Sequence, residues 1–171
     1  PSGWIELSYE YSLFGDQDYL GITFDYPESQ VLSKKWLGQG PYRVWKNRMR
    51  GTQLNVWQQD YNDAKPGIEW EYPEFKGCFS DLFWATLTTR QGDITVVTDT
   101  DDLYLRLFTP QYGNNPTNTA PPFPDGNISF LQGVPAIGTK FHPATSLGPE
   151  SQKNQASGTY EGVLYFHFGD F

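Results

Sequence analysis

The sequence has little cysteine, little histidine and little clustered positive charge, and each shortage excludes a class of protein. Its single cysteine, Cys78, cannot form an internal disulfide, so we interpret it as a small core residue rather than a nucleophile. The two histidines, His142 and His167, lie too far apart in sequence to suggest a zinc site. A net charge of −8 argues against a nucleic-acid partner, because phosphate binding needs clustered lysine and arginine.

Long apolar runs and leader-like segments are also missing. We therefore expect no membrane contact, and we expect any export signal to be removed or to lie upstream, as in a secreted or periplasmic protein. Phosphate loops, dinucleotide fingerprints and Ser-His-Asp motifs do not occur. The length of 171 residues predicts one domain over 1–171 with a core of its own.

Aromatic residues are abundant, at 17% of the chain. Apolar and polar residues alternate over 4–13 and again over 20–26, on either side of a turn-like 15–18, and this predicts a β-hairpin. Further strands are predicted at 31–37, 52–58, 79–88, 93–98, 103–109 and 160–168. Short strands with proline and glycine between them predict an all-β fold, an antiparallel β-sandwich. Its long loops, at 110–127 and 142–158, are rich in Pro, Gly and Asn.

The segment 36–48 is the densest in side chains that suit a sugar. Two glycines and Pro41 turn the chain out of a strand, and two aromatic rings, three cations and an amide follow. In one interpretation the rings stack on a sugar and the polar groups bond its hydroxyls. In the other, this is a packed turn whose arginines pair with the surplus of carboxylates. We expect at least one of Arg43 and Arg48 to be structural, bonded to a carboxylate or a backbone carbonyl.

A second concentration of aromatic residues lies further along the chain, beside turns. Trp45, Trp57 and Trp70 are the leading members of the exposed aromatic surface that we predict. The predicted sugar-binding residues are Tyr42, Arg43, Trp45, Asn47, Arg48, Trp57, Trp70 and Tyr72. We predict no catalytic residue and no metal ligand among them.

The run Lys35-Trp36-Leu37-Gly38-Gln39-Gly40-Pro41, with Arg48 following, resembles a known signature, W-L-G-x-G-P…R. This signature belongs to the C-terminal β-domain, or small-chain domain, of family 2 β-galactosidases. Residues 19–24 resemble the strand that leads into it, and 72–77 resemble the family's Y-x-x-P-Q-E-x-G element in a degraded form. The resemblance covers roughly residues 3–110.

The resemblance implies a galactose-mutarotase-like sandwich that is part of a larger glycoside hydrolase. The family's domain is longer, and its first portion has no counterpart here. The segment 133–138 lacks the tryptophan by which that domain reaches the family's active site. The family's catalytic carboxylates lie in a separate barrel domain, which no segment of this chain resembles. We therefore expect no enzymatic activity of its own, and the parent catalytic domain and a carbohydrate as partners.

Carboxylate groups keep other interpretations open. Glycosidases use two carboxylates roughly 5–10 Å apart, and the acidic residues within 69–74 or 99–102 could supply such a pair. The cluster 99–102 could also bind Ca²⁺, although it matches no defined calcium loop, and we expect no cofactor. Three functions remain: a carbohydrate-binding accessory domain, a purely structural domain of a family 2 enzyme, or a glycosidase or sugar epimerase in its own right.

Overall fold

The computed structural model describes residues 3–60, 77–108, 122–139 and 141–169. Within these ranges the chain forms nine strands and three short 3-10 turns, at Glu28–Gln30, Ala144–Ser146 and Pro149–Ser151. The strands are β1 (Trp4–Gln17), β2 (Leu20–Phe24), β3 (Val31–Gly40), β4 (Gln53–Asp60), β5 (Trp84–Thr89), β6 (Gly92–Thr98), β7 (Tyr104–Leu107), β8 (Ile128–Gly133) and β9 (Asn154–Phe168). No helix in these ranges has the length and apolar character needed to cross a membrane.

The strands form two antiparallel sheets. The larger sheet has six strands in the order β1-β9-β6-β5-β3-β4, and the smaller has three in the order β2-β8-β7. Their apolar faces share one core, in which Phe166 of the larger sheet meets the rings of Phe24 and Phe130 of the smaller. The predicted all-β, antiparallel sandwich is therefore confirmed.

Alternation along the central strands decides which side chains form that core. On β3 Trp36 is fully buried, whereas its neighbour Leu37 is half-buried on the opposite face. Register then aligns Trp36 with Ala85 on β5, and Ala85 with Val96 on β6. This inner row faces the smaller sheet, because side chains at alternate positions of a strand project to opposite faces.

The predicted hairpin of the first two strands is wrong. β1 pairs along its whole length with β9, from Trp4 opposite His167 to Gln17 opposite Asn154, and β2 pairs with β8 in the other sheet. Alternation identifies a strand but not its partner, and the supposed turn residues 15–17 continue β1. The chain changes sheets at Asp18, whose carboxylate forms an ion pair with Lys153 at 3.2 Å.

One of the two predicted loops contains strand residues. β8 begins at Ile128, directly after the first predicted loop, and β9 begins at Asn154, inside the second. The Asn127 amide explains the start of β8: its Oδ1 accepts a hydrogen bond from the Tyr26 N–H at 2.7 Å, and its Nδ2 donates to the Tyr26 carbonyl. Asn127-Ile128-Ser129 matches a glycosylation sequon, but here the Asn127 side chain connects the segment after β2 to the start of β8.

Cys78 is buried, as predicted for a core residue. Burial is the largest cause of the shift that raises the pKa of its thiol to about 12. The thiolate is therefore a negligible species near neutral pH, and the group packs as a small apolar side chain.

We expect Phe79→Ala to destabilise the protein by about 3–5 kcal/mol, because it empties a fully buried site. The Phe79 ring lies 4.1 Å from that of Trp36, centroid to centroid. Phe14→Ala is the matched control, since Phe14 is 71% exposed, and we expect a change within about 0.5 kcal/mol. Chemical denaturation measures both. Equal losses for the two variants would contradict this assignment of the core.

Candidate functional site

The glycines of the motif in β3 lie where the backbone closely approaches neighbouring groups. A Cβ at Gly40 would lie 2.6 Å from the indole ring of Trp57, and one at Gly38 would lie 2.9 Å from the carbonyl oxygen of Asp81. The Trp36 indole donates its N–H to the Gln39 carbonyl at 3.2 Å. The motif therefore has a packing role, because only glycine fits at these two contacts.

Trp45, predicted to stack on a sugar, has no exposed surface, so that prediction is wrong. Its backbone forms a tight turn with Arg48, and its ring packs in a small core of its own with Ile137 and Phe123. The apolar side chains around this turn cover the large ring of Trp45 completely. Tyr42 and Arg48, in contrast, are exposed.

Arg43 is also buried, and its place among the sugar-binding residues is wrong. Its guanidinium donates to the carbonyl oxygens of Leu107, at 2.9 Å, and Gly77, at 3.4 Å. The group also lies over the Phe79 ring, 5.0 Å from its centroid. This confirms the expectation that at least one arginine of the turn is structural.

Asn47 likewise holds the fold together. Its Oδ1 accepts from the Ile137 N–H at 3.0 Å, and its Nδ2 donates to the Ile137 carbonyl and to Ser151 Oγ, both at 2.9 Å. These bonds use the amide's acceptor and both of its donors, which leaves it little capacity to bind a sugar hydroxyl. Its assignment as a ligand-binding residue is therefore corrected.

Of the remaining predicted aromatic residues, the structure describes Trp57. Trp57 is half-buried, packs against the main core and donates its indole N–H to the Gln53 carbonyl at 3.1 Å. Trp70 and Tyr72 lie outside the described residues. Among the described residues, the predicted platform therefore keeps the exposed side chains of Tyr42 and Arg48 and part of Trp57.

The structure instead presents a groove of about 470 Å³ at one end of the larger sheet. Gln39 and Leu54, opposite each other on β3 and β4, form one wall. The segment 81–83 before β5 and the segment 98–102 after β6 form the rest. Below, this feature is called the acidic groove.

The lining of the acidic groove combines an aromatic ring with many hydrogen-bonding groups. Phe83 is 49% exposed, and Gln39 brings an amide. Among the residues that the structure describes, the lining is Gln39, Leu54, Asp81, Leu82, Phe83, Thr98, Asp99, Thr100, Asp101 and Asp102, none of which is a cation. Hydroxyl groups are donors that carboxylates accept well, and apolar ring faces stack on aromatic side chains. The groove therefore suits a neutral or positively charged polyhydroxylated molecule.

Local backbone geometry shapes the groove. Asp81 and Asp102 have φ of 51° and 54°, in the left-handed region that a short polar residue tolerates better than an apolar one. The Thr98 hydroxyl accepts from the Thr100 N–H at 2.9 Å, which tightens the turn after β6. The aspartates thus form a compact turn rather than extending β6.

An apolar row continues from the groove across the outer face of the larger sheet. Register places Leu37, Trp84, Val97 and Tyr165 side by side on adjacent strands, all half-buried. A hydrogen bond to Asp99 and the charge of its carboxylate raise the pKa of the Tyr165 hydroxyl, so the row contacts the groove directly. Trp84 and Tyr165 are two strands apart, or roughly 10 Å.

A metal site at 99–102 finds no support in the described part of the chain. No group of three or more His, Cys, Asp or Glu side chains there is arranged to hold a metal ion. The aspartates of the groove are accordingly treated as hydrogen-bond acceptors.

Searches with the sequence against protein-family models and against curated proteins gave no match. The resemblance to the small-chain domain therefore rests on the motif residues themselves.

Sequence reasoning overlooked Phe83 and Asp81 and gave Gln39 no role in binding. Phe83 immediately precedes a strand, and the pattern there suggests a continuation of the strand rather than an exposed ring. The aspartates at 99–102 were noted, but only as a carboxylate pair or a calcium site. A cluster of acidic residues followed by a strand was the one signal available for this groove.

Replacing the two arginines of the turn separates their roles. We expect Arg43→Lys to destabilise the fold by about 1–3 kcal/mol, because an ammonium cannot reproduce the buried guanidinium contacts. Arg48→Lys, at an exposed position, should change stability by less than about 0.5 kcal/mol. Thermal and chemical denaturation give both values. A larger loss for Arg48→Lys than for Arg43→Lys would overturn the assignment.

Proposed function

We propose that this chain is a non-catalytic carbohydrate-binding domain of a larger glycoside hydrolase, and that the acidic groove is its sugar site. The observation that carries the proposal is the meeting of an exposed ring, an amide and carboxylates in one groove. A pyranose has an apolar face for Phe83 and hydroxyls around its edge for the polar lining.

The apolar row extends this surface and favours a chain over a single sugar. A second sugar ring leaving the groove would meet the row that holds Trp84 and Tyr165, which have only Val97 between them. Stacking tolerates different sugars, so the row would add affinity and the groove would select the ligand.

The charge of the groove restricts the ligand further. Four aspartates and no cation of the described ranges line it, so uronic acids and sulfated sugars would be repelled by these carboxylates. We therefore propose neutral, galactose-containing or plant-type glycans as ligands.

The accessory role rests on the motif in β3. Its resemblance to the small-chain domain suggests a parent catalytic domain as partner and a secreted or periplasmic location. The carboxylates needed for hydrolysis would lie in that parent domain.

A purely structural role is the second candidate, and one observation favours it. Leu54 and Val56 are exposed on the same face of β4, which is an edge strand among the described strands, with Leu54 at 56%. Apolar side chains on an edge strand suit contact with a neighbouring domain.

The test of sugar binding starts from a glycan array and continues with calorimetry on the best ligand. We expect Phe83→Ala to weaken binding by about 1–3 kcal/mol, by analogy with base–aromatic stacking, without loss of fold. Phe141→Ala is the matched control, since Phe141 is 79% exposed and lies outside the groove. A protein that binds no glycan on the array would favour the structural role. Equal affinity of wild type and Phe83→Ala would remove the groove as the site.

The same ligand distinguishes binding from catalysis. Prolonged incubation followed by mass analysis should return the glycan intact, because the proposal places the catalytic carboxylates in another domain. Shortened products would support the glycosidase alternative, and Asp99→Asn and Asp101→Asn would then identify the carboxylates responsible.

A further inference from the structure

A second cavity lies inside the sandwich, on the inner face of the larger sheet. Its volume is about 160 Å³. Its walls come from both sheets, with Ala85, Leu87 and Val96 on one side and Leu105 and Phe130 on the other. Phe24, Ile94, Leu107, Ile128, Phe166 and Phe168 complete its apolar lining. This feature is called the inner cavity below.

The small side chain of Ala85 explains why space remains. Ala85 lies between Trp36 and Val96 in the inner row, but contributes only a methyl group where its neighbours contribute larger side chains. The facing strands of the smaller sheet supply branched and aromatic side chains that line the space without filling it. The inner cavity is not closed: Phe168 in its lining is 57% exposed, so a ligand can enter from that side.

The size and apolarity of the inner cavity define a ligand class. An apolar cavity of roughly 150 Å³ lined by Leu, Ile and Phe stays dry and binds benzene. Water is a poor occupant, because it needs two to four polar partners. We propose that the inner cavity binds a small molecule through one aromatic ring or a short alkyl chain.

The rim of the inner cavity restricts the rest of the ligand. Phe168, which is 57% exposed, belongs to the lining, so the inner cavity opens to solvent on that side. The proposed ligand is therefore an apolar ring or chain whose polar end remains in solvent.

The inner cavity is independent of the proposed sugar site. Ala85 points to the inner face of β5, whereas its neighbour Trp84 belongs to the apolar row on the outer face. Loss of one site should leave the other intact, so the two proposals fail separately.

Benzene is the first probe. In methyl NMR spectra of the wild-type protein, we expect saturating benzene to shift the resonances of Ala85, Leu87, Ile94 and Leu105. It should also raise the melting temperature, because a ligand that binds only the folded state stabilises it. Absence of methyl shifts, or shifts confined to surface methyl groups, would overturn the proposal.

A variant that fills the inner cavity provides the second test of the proposal. Ala85→Leu should raise the melting temperature and abolish the benzene-induced shifts, because its side chain occupies the inner cavity. Ala156→Leu is the matched control: Ala156 is buried but lies outside the lining, so overpacking should lower the melting temperature. If Ala85→Leu still shows the benzene shifts of the wild type, the ligand binds elsewhere and the proposal fails.

Discussion

The inward orientation of Trp36 is the constraint on which the rest of the structure depends. Its ring packs on Phe79, and its indole N–H bonds the Gln39 carbonyl. Because a strand alternates, Trp36 on the inner face places Leu37 and Gln39 on the outer face. A shift of one residue in β3 would exchange the two faces. The inward packing of Trp36 therefore determines both which side chains form the core and which form the candidate sugar surface.

The same alternation divides the chemistry of the larger sheet. Toward the smaller sheet it presents apolar side chains that leave a cavity beside Ala85. On its outer face, the larger sheet presents the half-buried apolar row, which adjoins the acidic groove. Three side chains of the segment 41–48 are used by the fold itself. Its Arg43, Trp45 and Asn47 are committed to carbonyls, rings and amides of the fold.

Much of the fold was accessible from the sequence, and the candidate site was not. Alternation predicted strands at most of the observed positions, because burial on one face dictates that pattern. It could not pair β1 with β9, because partner choice depends on contacts distant in sequence. Trp45 and Arg43 were misplaced for a related reason: composition cannot show whether a ring or a guanidinium in a turn faces solvent or another segment. Phe83 gave no signal, since its exposure arises from the segment before β5.

Mapping a bound glycan by NMR tests the central claim most directly. Backbone amide resonances would be followed while the strongest array ligand is titrated into the protein. The account predicts that the largest shifts occur in the segments 81–83 and 98–102, with smaller shifts along Leu37, Trp84 and Tyr165. Shifts concentrated instead at Tyr42 and Arg48 would contradict it, because the sugar would then bind the turn after β3 rather than the acidic groove.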